Sequence, residues 1–220
     1  MTPKNTIIIK PTKGLCNYLR VVFSYWLFCQ KHNLSLKVIW RVTNHCPGFF
    51  LDYFEPLENT IFVKNQVPTD KIYYSGYEPI MKPNYEKLIL KQSMKDIISQ
   101  KKNLLGNDYI SCHIRRTDHS QMAKRNKKYT ADHEFKQFLN NRHENIYIAT
   151  DNIQTYNNFL TVYRNSMKFP YHETKNQYRH TSLEDAIIDL YMCVDSKEFK
   201  GSGHSSFTCV ILNLRNSIRL

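Results

Sequence analysis

At 220 residues, with 41% apolar and 13% aromatic side chains, the chain can bury a core of one large domain or two small ones, which excludes a disordered or low-complexity polypeptide. Lys and Arg number 31 against 19 Asp and Glu, a formal charge of +12 that favours anionic partners such as nucleotides, nucleic acid or acidic membranes. The most apolar stretch, Val21 to Cys29, is far too short to span a bilayer and Met1 to Lys13 lacks the apolar run of a signal peptide, so a soluble, cytoplasmic protein without a transmembrane segment is expected.

Thr6 to Lys10 reads as a first strand, stopped by Pro11 and Gly14. A helix from Asn17 to Lys31 follows, then an alternating strand from Ser35 to Arg41, which together predict a β-α-β unit with parallel strands. Between Cys46 and Pro83 several prolines interrupt short β-like pieces at Thr60 to Val63 and Lys71 to Ser75. The spacing of Leu88, Ile89, Met94, Ile97 and Ile98 predicts a helix from Tyr85 to Lys101, with Lys87, Lys91 and Lys95 as its solvated stripe. A second β-α series then begins. It has a strand from Asp108 to Arg115, a helix from Ala131 to Asn141, a strand from Asn145 to Thr150 and a helix from Gln154 to Arg164. Phe169 to Gln177 reads as loop, Thr181-Ser-Leu-Glu184 as a capping box opening a helix to Val194, Phe199 to Gly203 as a short strand and turn, and Ser205 as the start of a last helix. The expected halves are residues 1–103 and 104–220, both Rossmann-like and facing a cleft.

Six scattered cysteines form no C-x-x-C pair and have no metal-like spacing; they read as small core residues of a reducing compartment, although their even number leaves a disulfide framework open. The basic cluster Lys124, Arg125, Lys127 and Lys128 reads as loop.

Three segments could carry chemistry. Ile110 to Asp118 is a buried strand running into two arginines and an acid, and alternation puts His113 and Arg115 on one face and Cys112, Ile114 and Arg116 on the other. Guanidinium groups at the carboxyl end of such a strand suit a nucleotide phosphate; structural ion pairing, with Arg116 held by an acid such as Asp189, explains the same residues. Gly201-Ser-Gly-His-Ser-Ser-Phe207 places glycines and serines before a helix, which makes either an anion site of backbone N–H groups or plain helix caps. Asp151 and Asn152 end another strand and could bind a base or ribose, or cap the next helix.

Taken in order, Gly14-Leu-Cys-Asn-Tyr-Leu-Arg20, His113-Ile-Arg-Arg-Thr-Asp118, Ala149-Thr-Asp151 and Leu183 to Phe207 ending in Ser205-Ser-Phe207 resemble the fucosyltransferase superfamily, the group of α1,6-, α1,2- and protein O-fucosyltransferases. The match leaves Cys46 to Gln100 uncovered. The resemblance implies an α/β, compact GT-B-like fold with an acceptor-side first half and a donor-binding second half. It also implies an inverting, metal-independent glycosyltransferase that moves fucose from GDP-fucose to a sugar hydroxyl, with no cofactor beyond that donor substrate. By the same resemblance His113, Arg115 and Arg116 are donor-binding residues with Arg115 on the β-phosphate, where it would stabilise the leaving diphosphate. Asp151 or Asn152 would lie near guanine or ribose, Ser205, Ser206 and Phe207 would border the pyrophosphate, and Gly14, Asn17 and Arg20 would reach the cleft from the first half.

The chain departs from the pattern in His119-Ser-Gln-Met-Ala-Lys124, which lacks the Glu that α1,6 members carry there, and in Cys16, where glycine is common. Asp118 is then the candidate general base, with His119 behind it. The short chain also suggests trimmed acceptor loops, or a partner protein or oligomer that completes the site for a glycan or glycoconjugate acceptor. Two other readings stay open: a basic nucleic-acid-binding module, for which no known signature is present so that nucleic acid is not the expected partner, and a transferase-like nucleotide-sugar-binding protein without activity.

Overall fold

The computed structural model describes residues 5–116, 120–163, 166–167 and 182–218. The chain divides into two compact units, Met1–Gln92 and Ser93–Arg219.

In the first unit, β1 (Thr6–Pro11), β2 (Ser35–Ile39), β3 (Thr60–Val63) and β4 (Tyr74–Gly76) form a parallel sheet in the order β3-β2-β1-β4. Helix α1 (Leu15–Lys31) crosses from β1 to β2 and buries Leu15, Tyr18, Leu19, Val22 and Phe23. It starts before Asn17, because Gly14 in extended conformation is its N-cap and accepts the first turn's N–H from Asn17 at 2.9 Å. The aromatic core gathers around Trp40, whose indole N–H donates to the Gly48 carbonyl at 2.9 Å. Phe50, from the short helix α2 (Phe50–Tyr53), stacks on Phe62 at 4.2 Å.

The helix expected over 85–101 forms only as α3 (Gln92–Leu105), and Lys87 and Lys91 therefore stand outside it rather than in one stripe with Lys95. The cause is tertiary. Tyr85, Leu88 and Leu90 are buried, and the backbone of 89–91 is spent on 53–55: Glu55 N–H donates to Ile89 O at 2.8 Å, and Lys91 N–H to Tyr53 O at 2.9 Å. A helix over the same residues would give up those bonds.

In the second unit, β5 (Tyr109–Ile114), β6 (Asn145–Thr150), β7 (Ser166–Met167) and β8 (Phe199–Gly201) form another parallel sheet, in the order β7-β6-β5-β8. Every residue of β5 is buried, as a parallel strand covered on both faces requires. Ile110, Cys112 and Ile114 pack with Ile146 and Ile148 against Phe135 and Leu139 of α5 (Asp132–Leu139) and Phe159 of α6 (Ile153–Val162). Tyr109 and Ser111 face the opposite layer, in which Tyr109 Oη donates to Met192 O at 2.8 Å in α7 (Leu183–Asp195) and Ser111 Oγ lies 2.7 Å from Ser196 Oγ. Helix α8 (Ser206–Ile218) packs on α7, and its buried Arg215 donates to the carbonyls of Cys193, Val194, Ser196 and Lys197 at the end of that helix. The capping box of α7 is Ser182 with Asp185, one residue later than Thr181 with Glu184. Thr181 itself, like the loop 169–177, lies outside the described residues.

Candidate functional site

From β5 the winding of the second unit proceeds through β6 to β7 on one side and then returns to place β8 on the other. The reversal falls between β5 and β8, the position at which open parallel sheets hold ligands beyond their carboxyl ends. Two segments leave the sheet there: His113 to Arg116 from β5, and Gly201 to Phe207 from β8.

These segments are laced together. Ser202 N–H donates to His113 O and Arg115 N–H donates to Ser202 Oγ, both at 2.9 Å. The His113 ring, 5% exposed, lies 4.7 Å from the Phe207 ring at an interplanar angle of 29°, and its Nδ1 is 2.9 Å from Thr208 Oγ1. Gly201 sits opposite His113 in the ladder, where a Cβ would overlap Thr208 and Phe199; only glycine lets the threonine reach the histidine. A Cβ on Gly203 would overlap the Lys128 carbonyl, and Gly203 N–H donates to Thr130 Oγ1 at 2.8 Å, so this loop is packed onto the segment preceding α5.

The two arginines separate. Arg115 Nε lies 3.1 Å from Asp151 Oδ2, while Asp151 Oδ1 accepts the Arg116 backbone N–H at 2.9 Å. One carboxylate at the end of β6 thereby holds the Arg116 main chain by a hydrogen bond and pairs with the Arg115 guanidinium by charge. The Arg116 side chain turns to Asp132 and to Thr130 O, and lies over the Tyr129 and Phe135 rings at 4.9 and 5.6 Å. The acid that holds it is thus Asp132 at the start of α5, whereas Asp189 accepts the Tyr147 hydroxyl at 2.6 Å. Burial first, and then the Asp189 charge, push the Tyr147 phenol well above its ordinary range. Asn152 is the N-cap of α6, with Oδ1 accepting from Thr155 N–H at 2.8 Å and Thr155 Oγ1 at 2.9 Å.

Ser205, Ser206 and Phe207 form the start of α8; the Ser205 carbonyl accepts the Cys209 N–H at 3.0 Å, and His204 before it has φ of 58°. The first N–H groups of a helix lack intrahelical acceptors and attract anions. Lys124 and Arg125 end a short helix α4 (Ser120–Arg125) that replaces the expected loop; Lys124 Nζ stands over the Tyr129 ring, 5.0 Å from its centre. Asp118 and His119 lie outside the described residues.

In the first unit the winding reverses between β1 and β4. Gly14, Asn17 and Arg20 follow β1, with Arg20 Nη1 3.4 Å from Asn17 Oδ1 and Nη2 3.9 Å from Glu78, an acid beyond β4 that no motif pointed to. Ser202 belongs to the glycine-serine motif, whereas no motif pointed to Thr208, Asp132 or Thr130: Thr208 directly follows that motif, but Asp132 and Thr130 carry no spacing signal. Among the described residues no three His, Cys, Asp or Glu side chains gather as a metal site, and no helix is long and apolar enough to cross a membrane.

No family model matches the chain. GDP-fucose protein O-fucosyltransferase 2 of Plasmodium berghei (strain Anka) is 29% identical over 167 residues, covering 70% of this chain and 33% of the relative, so the chain spans about a third of the length of that curated relative. Among solved structures, fucosyltransferase NodZ from Bradyrhizobium superposes with a TM-score of 0.63 at 14% identity, covering 96% of this chain and 93% of NodZ. POFUT1 in its apo form gives 0.67 at 8%, covering 98% and 96%. NodZ has also been crystallised with GDP and soaked with GDP-fucose. The chain has the α/β, GT-B-like fold of these enzymes and resembles the fucosyltransferase superfamily in sequence and fold.

Proposed function

We propose that this relative of the fucosyltransferases is a glycosyltransferase that transfers fucose from GDP-fucose to a sugar hydroxyl, with inversion and without a metal. The observation that carries the reading is the convergence of His113, Arg115 and the start of α8 at the β5/β8 reversal, where the resemblance puts the donor diphosphate. Asp151 on Nε orients the Arg115 guanidinium, and the N–H groups of α8 add a second positive pole. Both stabilise the charge that develops on the leaving diphosphate, the task a divalent cation performs in other transferases. Inversion requires the acceptor hydroxyl to attack the face opposite that leaving group while a base takes its proton; Asp118 is the residue proposed for this role.

The role of donor-binding half falls to the second unit and that of acceptor side to the first, where Gly14, Asn17 and Arg20 stand. A glycan or glycoconjugate is the proposed acceptor, with a partner protein or second copy completing its site. The buried thiols suit a reducing compartment, and the cytoplasm is the one we propose.

Calorimetry with GDP, UDP and ADP tests the reading. GDP is expected to bind in preference to the others, and Arg115→Ala to lose roughly 1.5 to 3 kcal/mol of that affinity while leaving the melting temperature in place. Equal binding of the three would refute the donor, no binding would refute the class, and binding of GDP-fucose without turnover across a panel of acceptors would point to an inactive relative.

A further inference from the structure

Thr208 is 9% exposed and, among the described residues, the hydrogen-bond partner of its hydroxyl is His113 Nδ1 at 2.9 Å. Threonine within a helix commonly donates to the carbonyl four residues back. For Thr208 that carbonyl belongs to His204, which precedes α8 and has φ of 58°, so the usual acceptor is not part of the helix. A buried hydroxyl proton requires an acceptor. The ring nitrogen can accept it only when Nδ1 carries no proton, and a neutral imidazole then bears its hydrogen on Nε2.

We infer that Thr208 is a positioning residue that donates to His113 Nδ1 and holds the histidine as its neutral Nε2–H tautomer. Stacking on Phe207 fixes the ring plane, the Thr208 bond fixes rotation within that plane, and Gly201 supplies the space for both. On the donor-site reading proposed for this pocket, on which this part of the inference rests, His113 meets the nucleotide sugar as a hydrogen-bond donor, suited to a phosphate or carbonyl oxygen. A protonated Nε2 also cannot accept the acceptor's proton, so His113 does not serve as the general base.

The test is a long-range proton–nitrogen correlation spectrum of the nitrogen-15-labelled protein near neutral pH, with the His113 signals assigned by their loss in His113→Gln. The Nε2–H pattern is expected in the wild type, and in Thr208→Ser, which keeps the hydroxyl; Thr208→Val should give a tautomer mixture and about tenfold weaker GDP binding, which Thr208→Ser should restore to near the wild-type value. An Nδ1–H or imidazolium pattern in the wild type overturns the inference whatever the variants do. An unchanged Nε2–H pattern in folded Thr208→Val overturns the role of Thr208. The spectrum needs no ligand, so a wild type that fails to bind GDP refutes the proposed function while the tautomer is still decided.

Discussion

Alternation along a single strand separates the side chains of the arginine motif, and the partners that fix them come from distant elements: Asp151 for Arg115, Asp132 for Arg116, Thr208 for His113. Asp151→Asn preserves volume but weakens the hold on the guanidinium. Calorimetry is expected to find GDP binding about tenfold weaker, equivalent to ~1.4 kcal/mol, with urea unfolding nearly unchanged. Tyr147→Phe should do the opposite. It deprives the buried Asp189 carboxylate of the phenol bond, so stability should fall by about 1 to 3 kcal/mol in urea while GDP affinity holds. The period of two along β5 made the facing of His113, Cys112 and Ile114 legible in the sequence. Asp132 and Thr208 were not legible, because a partner across 16 or 95 positions leaves no local pattern.

Among the elements, α7 and α8 depend most on single polar residues. Ser182→Ala should cost about 1 kcal/mol by removing the α7 cap, read as a lower urea midpoint at constant slope. Arg215→Met leaves the carbonyls that end α7 without their buried cation and should cost about 3 kcal/mol. At the amino-terminal edge of the second sheet, Lys197 Nζ lies 3.3 Å from both Glu144 and Asp108. Glu144 is held below its ordinary 4.5 by its own backbone and then by Lys197, and Lys197 is held above 10.5 by Glu144 and then Asp108. The Glu144 contribution is therefore complete above pH 4.5 and lost as pH falls through the lowered value; that of Lys197 is complete below pH 10.5 and lost as pH rises through the raised one. Melting curves against pH should show Glu144→Gln lowering the wild-type midpoint at pH 7 and converging with it in acid. Every strand but the two-residue β7, and most helices of both units, could be read from periodicity, since burial on one face sets the pattern. The start of α3 could not, because 89–91 gives its backbone to 53–55, and α4 is too short to display a period.

At the scale of the molecule, two parallel sheets each reverse their winding once, and each reversal collects the charged motif residues of its own unit. The successive β-α series made the parallel pairing legible, since crossovers between parallel strands usually carry a helix; the strand order was not, and the link from β3 to β4 contains no helix. The depth of each thiol was not legible either. Five cysteines are buried and Cys209 is exposed. Burial pushes the Cys29 thiol up to about 11 and that of Cys112 well above its ordinary value, so these remain protonated and unreactive near neutrality. A thiol reagent should modify one equivalent rapidly in the native protein and the other five only on unfolding, with Cys209→Ser abolishing the fast phase.

Cys209 follows Thr208 in the first turns of α8, next to the helix start proposed to cradle the diphosphate. A single addressable handle therefore stands beside that site. A small environment-sensitive fluorophore attached there, in the unmutated protein, would convert nucleotide occupancy into an optical signal, making possible a screen of donors and acceptors in which the product need not be identified.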